Sequence, residues 1–168
     1  DGQAIAVIGS RRATHYGIQS ARKLSFQLAH NGLTVLSGLA LGIDTAAHEG
    51  ALAAKGRTVA VIGSGLGKLY HTENPDKQGF PLRNRIVAGW SQGVMVVEAP
   101  ARSGSLITVN QATDYGRPIY AVPGGIDRPT SQGCNKLIQN GARLVMGAED
   151  VLDDLSWLIP PAEQKALA

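Results

Sequence analysis

The chain has 168 residues, a hydrophobic fraction of 43%, 21 glycines and one cysteine. That is one domain's worth of sequence with enough apolar content for a substantial core; no apolar run nears the about 18 residues that span a bilayer, and a lone Cys134 excludes an internal disulfide or a CxxC site. The net charge of +3 is uneven, since residues 1–147 carry 15 Lys and Arg against 8 Asp and Glu while residues 148–168 carry 1 against 5, so the body suits nucleic acid, nucleotides or another acidic partner.

Ala4-Ile-Ala-Val-Ile8 opens a series of short apolar runs that continues at residues 33–36, 58–62, 94–97, 118–122 and 144–146. None alternates cleanly with polar residues, which is the pattern of strands buried on both faces of a parallel sheet. Helical patterns lie between them. Ile18, Ala21, Leu24, Ser25, Leu28 and Ala29 recur at helix spacing before Asn31-Gly32, an expected stop. Further helices are expected over residues 43–54, 84–90, 106–115, 135–140 and 148–158, with Pro160-Pro161 ending the last. Strand and helix alternate throughout, so the expected fold is α/β: a doubly wound, mostly parallel sheet with helices on both faces. Residues 1–158 form this core and residues 159–168 a tail or linker. A single cysteine makes a reducing cytoplasm the expected setting; the start, Asp1-Gly-Gln3, is not a signal peptide, so one that existed has been removed.

In such a sheet a ligand sits outside the carboxyl ends of the strands, so the residues after each run are the informative ones. Gly9-Ser-Arg-Arg-Ala-Thr14 precedes a helix, where backbone N–H groups attract anions and Arg11 can fork onto a phosphate. It is not GxGxxG, and the second run ends at Ser37 rather than at a ribose-binding acid, which argues against NAD. In Ser37-Gly-Leu-Ala-Leu-Gly-Ile-Asp44, Asp44 reads as a helix N-cap, and its i, i+4 spacing to His48 as a structural pair. Gly63-Ser-Gly-Leu-Gly-Lys68 fails as a P-loop because Ile62 stands where the first glycine belongs and Leu69 replaces the magnesium-binding Ser or Thr; Gly65 and Lys68 can still meet a phosphate.

Phe80-Pro-Leu-Arg-Asn-Arg-Ile86 sets Arg83 and Arg85 on either side of Asn84, an arrangement for successive phosphates rather than one small anion, with Phe80 and Tyr70 as stacking candidates. Arg102-Ser-Gly-Ser-Leu-Ile-Thr108 puts Ser103, Gly104 and Ser105 before a helix, where N–H and hydroxyl donors collect. Pro123-Gly124-Gly125 and Asn135 complete the rim. The four histidines lack metal-ligand spacing, so neither a metal nor a cofactor is expected, and the nucleophile elbow GxSxG is missing.

Taken in order, Gly9-Ser-Arg11, Ser37 to Asp44, Phe80 to Ile86, Val96-Val-Glu-Ala99, Ser103 to Thr108, Val122-Pro-Gly124 and Gly133-Cys-Asn-Lys-Leu-Ile138 closely resemble the DNA-processing protein A family, DprA, also called Smf. The resemblance runs from about Ile5 to Leu155. It implies an extended Rossmann-like domain that is not an enzyme, binds single-stranded DNA without sequence preference, forms a homodimer and loads a RecA-type recombinase during natural transformation. By motif it implies that Arg11, Lys68, Arg83, Arg85 and the Ser103–Ser105 loop line the DNA pocket, and that Leu137, Ile138 and Leu144 lie near the dimer interface. Family members carry a strand and helix before the Phe80 motif. Here Asn74-Pro75 joins the third-strand loop to that motif directly, so residues are expected to be missing at this junction. The competing readings are a phosphoribohydrolase of the lysine-decarboxylase-like (LOG) type, suggested by Pro123-Gly-Gly125 but lacking that family's glutamate, and a nucleotide-sensing domain.

Overall fold

The computed structural model describes residues 3–64 and 79–156. Gly65, Lys68, Tyr70, the Asn74-Pro75 junction and the tail at 159–168 lie outside the described residues. Six strands, β1 (Ala4–Ile8), β2 (Thr34–Ser37), β3 (Thr58–Ala60), β4 (Gly93–Val96), β5 (Ile119–Ala121) and β6 (Arg143–Leu144), form one sheet in the order β3-β2-β1-β4-β5-β6. Every pairing is parallel, with Ile5 opposite both Val35 and Gly93. The doubly wound expectation is borne out, and the order is that of the dinucleotide-binding fold.

Among the described residues there are six α-helices, α1 (His15–His30), α2 (Ile43–Ala53), α3 (Gly79–Trp90), α4 (Ser105–Asp114), α5 (Gln132–Gln139) and α6 (Ala148–Leu155); the first five lie in the crossovers and α6 follows β6. The two-residue period of a strand explains why each apolar run is continuous. In β1, Ile5 and Val7 face a core shared with α1, α2 and α6, whereas Ala6 and Ile8 face a second core shared with α3, α4 and α5. Met95 and Val97 repeat the first assignment, Val94 and Val96 the second. A strand between two helical layers has no face for polar residues, and each fully buried Ile or Val there contributes about 1.5–3 kcal/mol relative to exposure.

Two helices begin earlier than expected. α3 starts at Gly79 rather than at Asn84, because Pro81 falls within the first turn, where a missing backbone N–H costs nothing. α5 starts at Gln132 and is preceded by a single 3-10 turn over Pro129–Ser131. Cys134 is buried at the second core, and burial pushes its thiol up to about 12. Among the described residues no helix is long and apolar enough to cross a membrane, and no group of three or more His, Cys, Asp and Glu could hold a metal ion.

Candidate functional site

The neighbouring strands β1 and β4 send their crossovers to opposite sides, and their carboxyl ends flank the crevice where open α/β sheets bind ligands. Here a protein carboxylate fills the crevice floor. Glu98, just past β4, is only 1% exposed. Its carboxylate accepts the backbone N–H of Thr14 at 2.7 Å and the Thr14 hydroxyl at 2.6 Å. Thr14 is the N-cap of α1, and its hydroxyl oxygen accepts the Gly17 N–H at 3.3 Å. The positive end of the α1 dipole is therefore neutralised from within. At this helix start, where a phosphate is expected from the sequence, the Glu98 carboxylate is in place. Gly9 is packed between Ile43 and the Glu98 carbonyl, and Ser10 donates its N–H to that carbonyl at 2.7 Å. Arg11 and Arg12 lie above this floor and are exposed.

The loop after β2 is held just as tightly. Gly42, not Asp44, is the N-cap of α2; its φ of +79° favours glycine, and any side chain there would run into the backbone of Ser10 and Arg11. Asp44 sits inside the first turn and folds back instead, accepting the N–H groups of Gly38 at 3.1 Å and Ala40 at 3.3 Å. It does not pair with His48, whose Nδ1 meets the Thr58 hydroxyl at 2.7 Å. Ser37 is fully buried and donates its hydroxyl to the Val7 carbonyl at 2.6 Å.

Arg83 closes the arrangement from α3. It is 8% exposed, and one guanidinium nitrogen donates to the carbonyls of Gly38 and, at 3.0 Å, of Val61. Burial raises the Asp44 carboxyl above its usual range despite the amides and Arg83 that favour its charge. Burial also lowers Arg83, with Asp44 opposing and nearby Arg11 adding to the effect. Arg83, expected to line the DNA pocket, is buried against backbone carbonyls that need a donor. Asn84 is half-buried and accepts from Arg83 Nε at 3.2 Å, while Arg85 is exposed. Phe80 lies in the first turn of α3.

Beyond β4, Arg102 is exposed, and Ser103 and Ser105 share a hydroxyl hydrogen bond at 2.6 Å. The N-cap of α4 is Gly104, and a side chain there would meet nothing within 4 Å, so the loop is open to an approaching ligand. Beyond β5, Asn135 clamps Gly124, accepting its N–H at 3.1 Å and donating to its carbonyl at 3.0 Å. With both ends of its amide so used, Asn135 shapes the rim. Cross-links join the described loops of the mouth: Ile43 to Ser10, Ser10 to Glu98, Gly133 to Ala99, and the Tyr16 hydroxyl to the Pro123 carbonyl at 2.6 Å.

The structure therefore brings Arg83 onto Gly38 and close enough to Arg11 to feel its charge, ties Gly9 and Ser10 to Glu98 and Ile43, and leaves Arg102 to Ser105, Gly124 and Asn135 in or against the loops that follow β4 and β5. Of the three residues expected at a dimer face, Leu137 and Ile138 are half-buried against the molecule's own core, and Leu144 is 38% exposed on the edge strand β6 beside Met146, which is 82% exposed. The roles of Glu98 and Thr14 were missed. A lone acid directly after a strand at the crossover reversal was the only signal for Glu98, and its partner lies 84 residues away.

The sequence matches the DNA recombination-mediator protein A family over residues 1–79 and 69–156, two pieces that meet around the Asn74-Pro75 junction. DNA processing protein DprA of Bacillus subtilis is 39% identical over 92% of this chain and 59% of its own length. Among solved structures, DNA processing protein A from Streptococcus pneumoniae superposes with a TM-score of 0.85 at 44% identity, covering 90% of this chain and 61% of that one. DNA processing protein A from Helicobacter pylori, solved for its single-stranded DNA binding mode, superposes with a TM-score of 0.83 at 28% identity, covering 95% and 82%. The chain thus spans about 60% of the first two proteins. The resemblance drawn from the ordered motifs is borne out, and the chain belongs to the DNA recombination-mediator protein A family.

Proposed function

We propose that the chain binds single-stranded DNA without sequence preference, along the rim formed by the loops after its parallel strands. The observation that carries the proposal is the exposure of Arg11, Arg12 and Arg102 in the loops after β1 and β4, and of Arg85 on α3, while the acids Glu98 and Asp44 are turned inward to backbone donors. Cations held on a rigid edge suit a chain of phosphates, which are read by charge and not by sequence. The Helicobacter relative, whose own structure concerns single-stranded DNA, supports the same ligand. The rim binds and does not catalyse in this reading, in which the two acids of the floor, Glu98 and Asp44, are committed to backbone amides.

The wider role is proposed for the whole protein, of which relatives show a greater length. There the bound strand is handed to a RecA-type recombinase in the cytoplasm, during recombination and natural transformation. A homodimer formed at β6 would carry two rims, with Leu144 and Met146 at its centre and Leu137 and Ile138 behind them.

Fluorescence anisotropy with oligo(dT) and a matched duplex, across a salt series, tests the central claim. The expected result is preference for the single strand, with log K falling linearly with log salt at about −0.7 per phosphate neutralised. No binding of either at low salt overturns it. Stabilisation by a mononucleotide in its place would favour the nucleotide-sensing reading.

A further inference from the structure

Leu39 and Leu41 stand in the loop between β2 and α2, beside the cationic rim, and are 51% and 66% exposed. Isolated exposed leucines are common on protein surfaces and need no explanation. Three features separate this pair. Leu39 has φ +58°, in the left-handed region where a leucine is an uncommon occupant. That unfavourable backbone is held from below, since the Asp44 carboxylate takes the N–H groups of both its neighbours, Gly38 and Ala40, and Arg83 takes the Gly38 carbonyl. The loop is also fixed to the β1 loop, with the Ile43 N–H on the Ser10 carbonyl at 3.1 Å and Gly42 against the Arg11 backbone. A buried, charged network thus maintains a conformation whose visible consequence is two leucines in water beside Arg11.

We propose that Leu39 and Leu41 form an apolar contact for the faces of unstacked nucleobases, adjoining the phosphate contacts of the rim. This rests on the single-stranded DNA reading above and adds to it the source of strand selectivity. Phosphates are present in single and double strands alike, so arginines alone distinguish the two poorly. Base faces are open only in an unpaired strand, and apolar side chains, leucine among them, engage bases that are separated from their neighbours. Such a contact tolerates any base, because every base has a face.

The test compares the 168-residue chain with a Leu39→Gly, Leu41→Ala double variant. Glycine accepts the positive φ, so this change removes the side chain without straining the loop. Binding is measured to oligo(dT), to an abasic strand of the same length and charge, and to a duplex, with thermal melting alongside. The expected result is an unchanged melting temperature, a loss of about tenfold in affinity for oligo(dT), and no change for the abasic strand or the duplex. An equal loss on all three probes shows that the leucines serve only the loop and overturns the proposal; unchanged oligo(dT) affinity overturns it as well. If the wild-type chain binds oligo(dT) and the abasic strand equally, base contact is absent and the phosphate reading survives alone. If it binds none of the probes at low salt, the single-stranded DNA reading falls and takes this proposal with it.

Discussion

The guanidinium of Arg83 fills the space in which a side chain at Gly38 would stand: a Cβ there would lie 2.5 Å from a guanidinium nitrogen and 2.8 Å from an Asp44 oxygen. A glycine at position 38 leaves room for both Arg83 and Asp44 beside its backbone. The three residues form one unit, in which the cation satisfies the carbonyls of Gly38 and Val61 and the anion satisfies the amides of Gly38 and Ala40.

This unit separates two arginines that stand only two positions apart. Arg83→Ala leaves the carbonyls of Gly38 and Val61 without their donor and the buried Asp44 carboxylate without its nearby cation, and is expected to destabilise the fold by about 3 kcal/mol. Gly38→Ala forces the guanidinium aside, at a cost of about 2 kcal/mol. Arg85→Ala, at an exposed position, leaves stability within about 0.5 kcal/mol of wild type. Urea denaturation of the three variants checks the order. A fully stable Arg83→Ala variant would show that Arg83 is held for another reason.

The rim arginines lead to a different measurement. Arg102 lies beside the open Gly104 and is exposed. Arg102→Ala is expected to weaken oligo(dT) binding at low salt and to reduce the magnitude of the salt slope by about 0.7, the signature of one lost phosphate contact on a single strand. Arg85→Ala should act alike. A fall in affinity with an unchanged slope would mean that these residues act through something other than phosphates.

These contrasts show which parts of the molecule were legible in its sequence. The six strands were visible because each lies between two helical layers, leaving an uninterrupted apolar run such as Ala4–Ile8. The helix ends at Asn31-Gly32 and Gly116 were visible because glycine at positive φ is a local requirement. The rim loops could be named because they follow the strands directly. What remained hidden was which polar residues turn inward. Arg83 and Arg85 look alike in the sequence, and only α3 packing toward the carbonyls of Gly38 and Val61 separates them. Asp44 resembled a helix cap because its true partners depend on the backbone path of residues 38–40.

His48 gives a pH-dependent prediction. The Thr58 hydroxyl donates to the Val35 carbonyl at 2.8 Å, so it accepts from His48 Nδ1–H, and Nε2 is left buried without a hydrogen-bond partner. Protonating Nε2 would bury an unpaired charge, and burial accordingly lowers the imidazole below its ordinary value of 6.5. The unfolded chain therefore takes up this proton at a higher pH than the folded one. The contribution is fully present above the unfolded value and is lost as pH falls from 6.5 through the lower folded value. The urea midpoint of the wild type should drop between neutral pH and pH about 5, and a His48→Gln variant should show a shallower drop. Identical pH profiles would exclude His48 as the cause.

Glu98 makes the most specific prediction about the crevice. Its carboxylate holds the Thr14 N–H and hydroxyl at the positive end of α1, the place where a helix of this fold would otherwise receive a phosphate. Glu98→Ala removes the anion and opens the pocket that it filled. The variant is expected to lose about 2 kcal/mol, since a helix start loses its cap partner and its charge complement together. Because the vacated position is built for an anion, inorganic phosphate should raise the melting temperature of Glu98→Ala more than that of the wild type, whereas chloride at equal ionic strength should not. Equal effects of phosphate on both proteins would mean that the helix start is not an anion position, and that Glu98 is retained for packing against Gly17 alone.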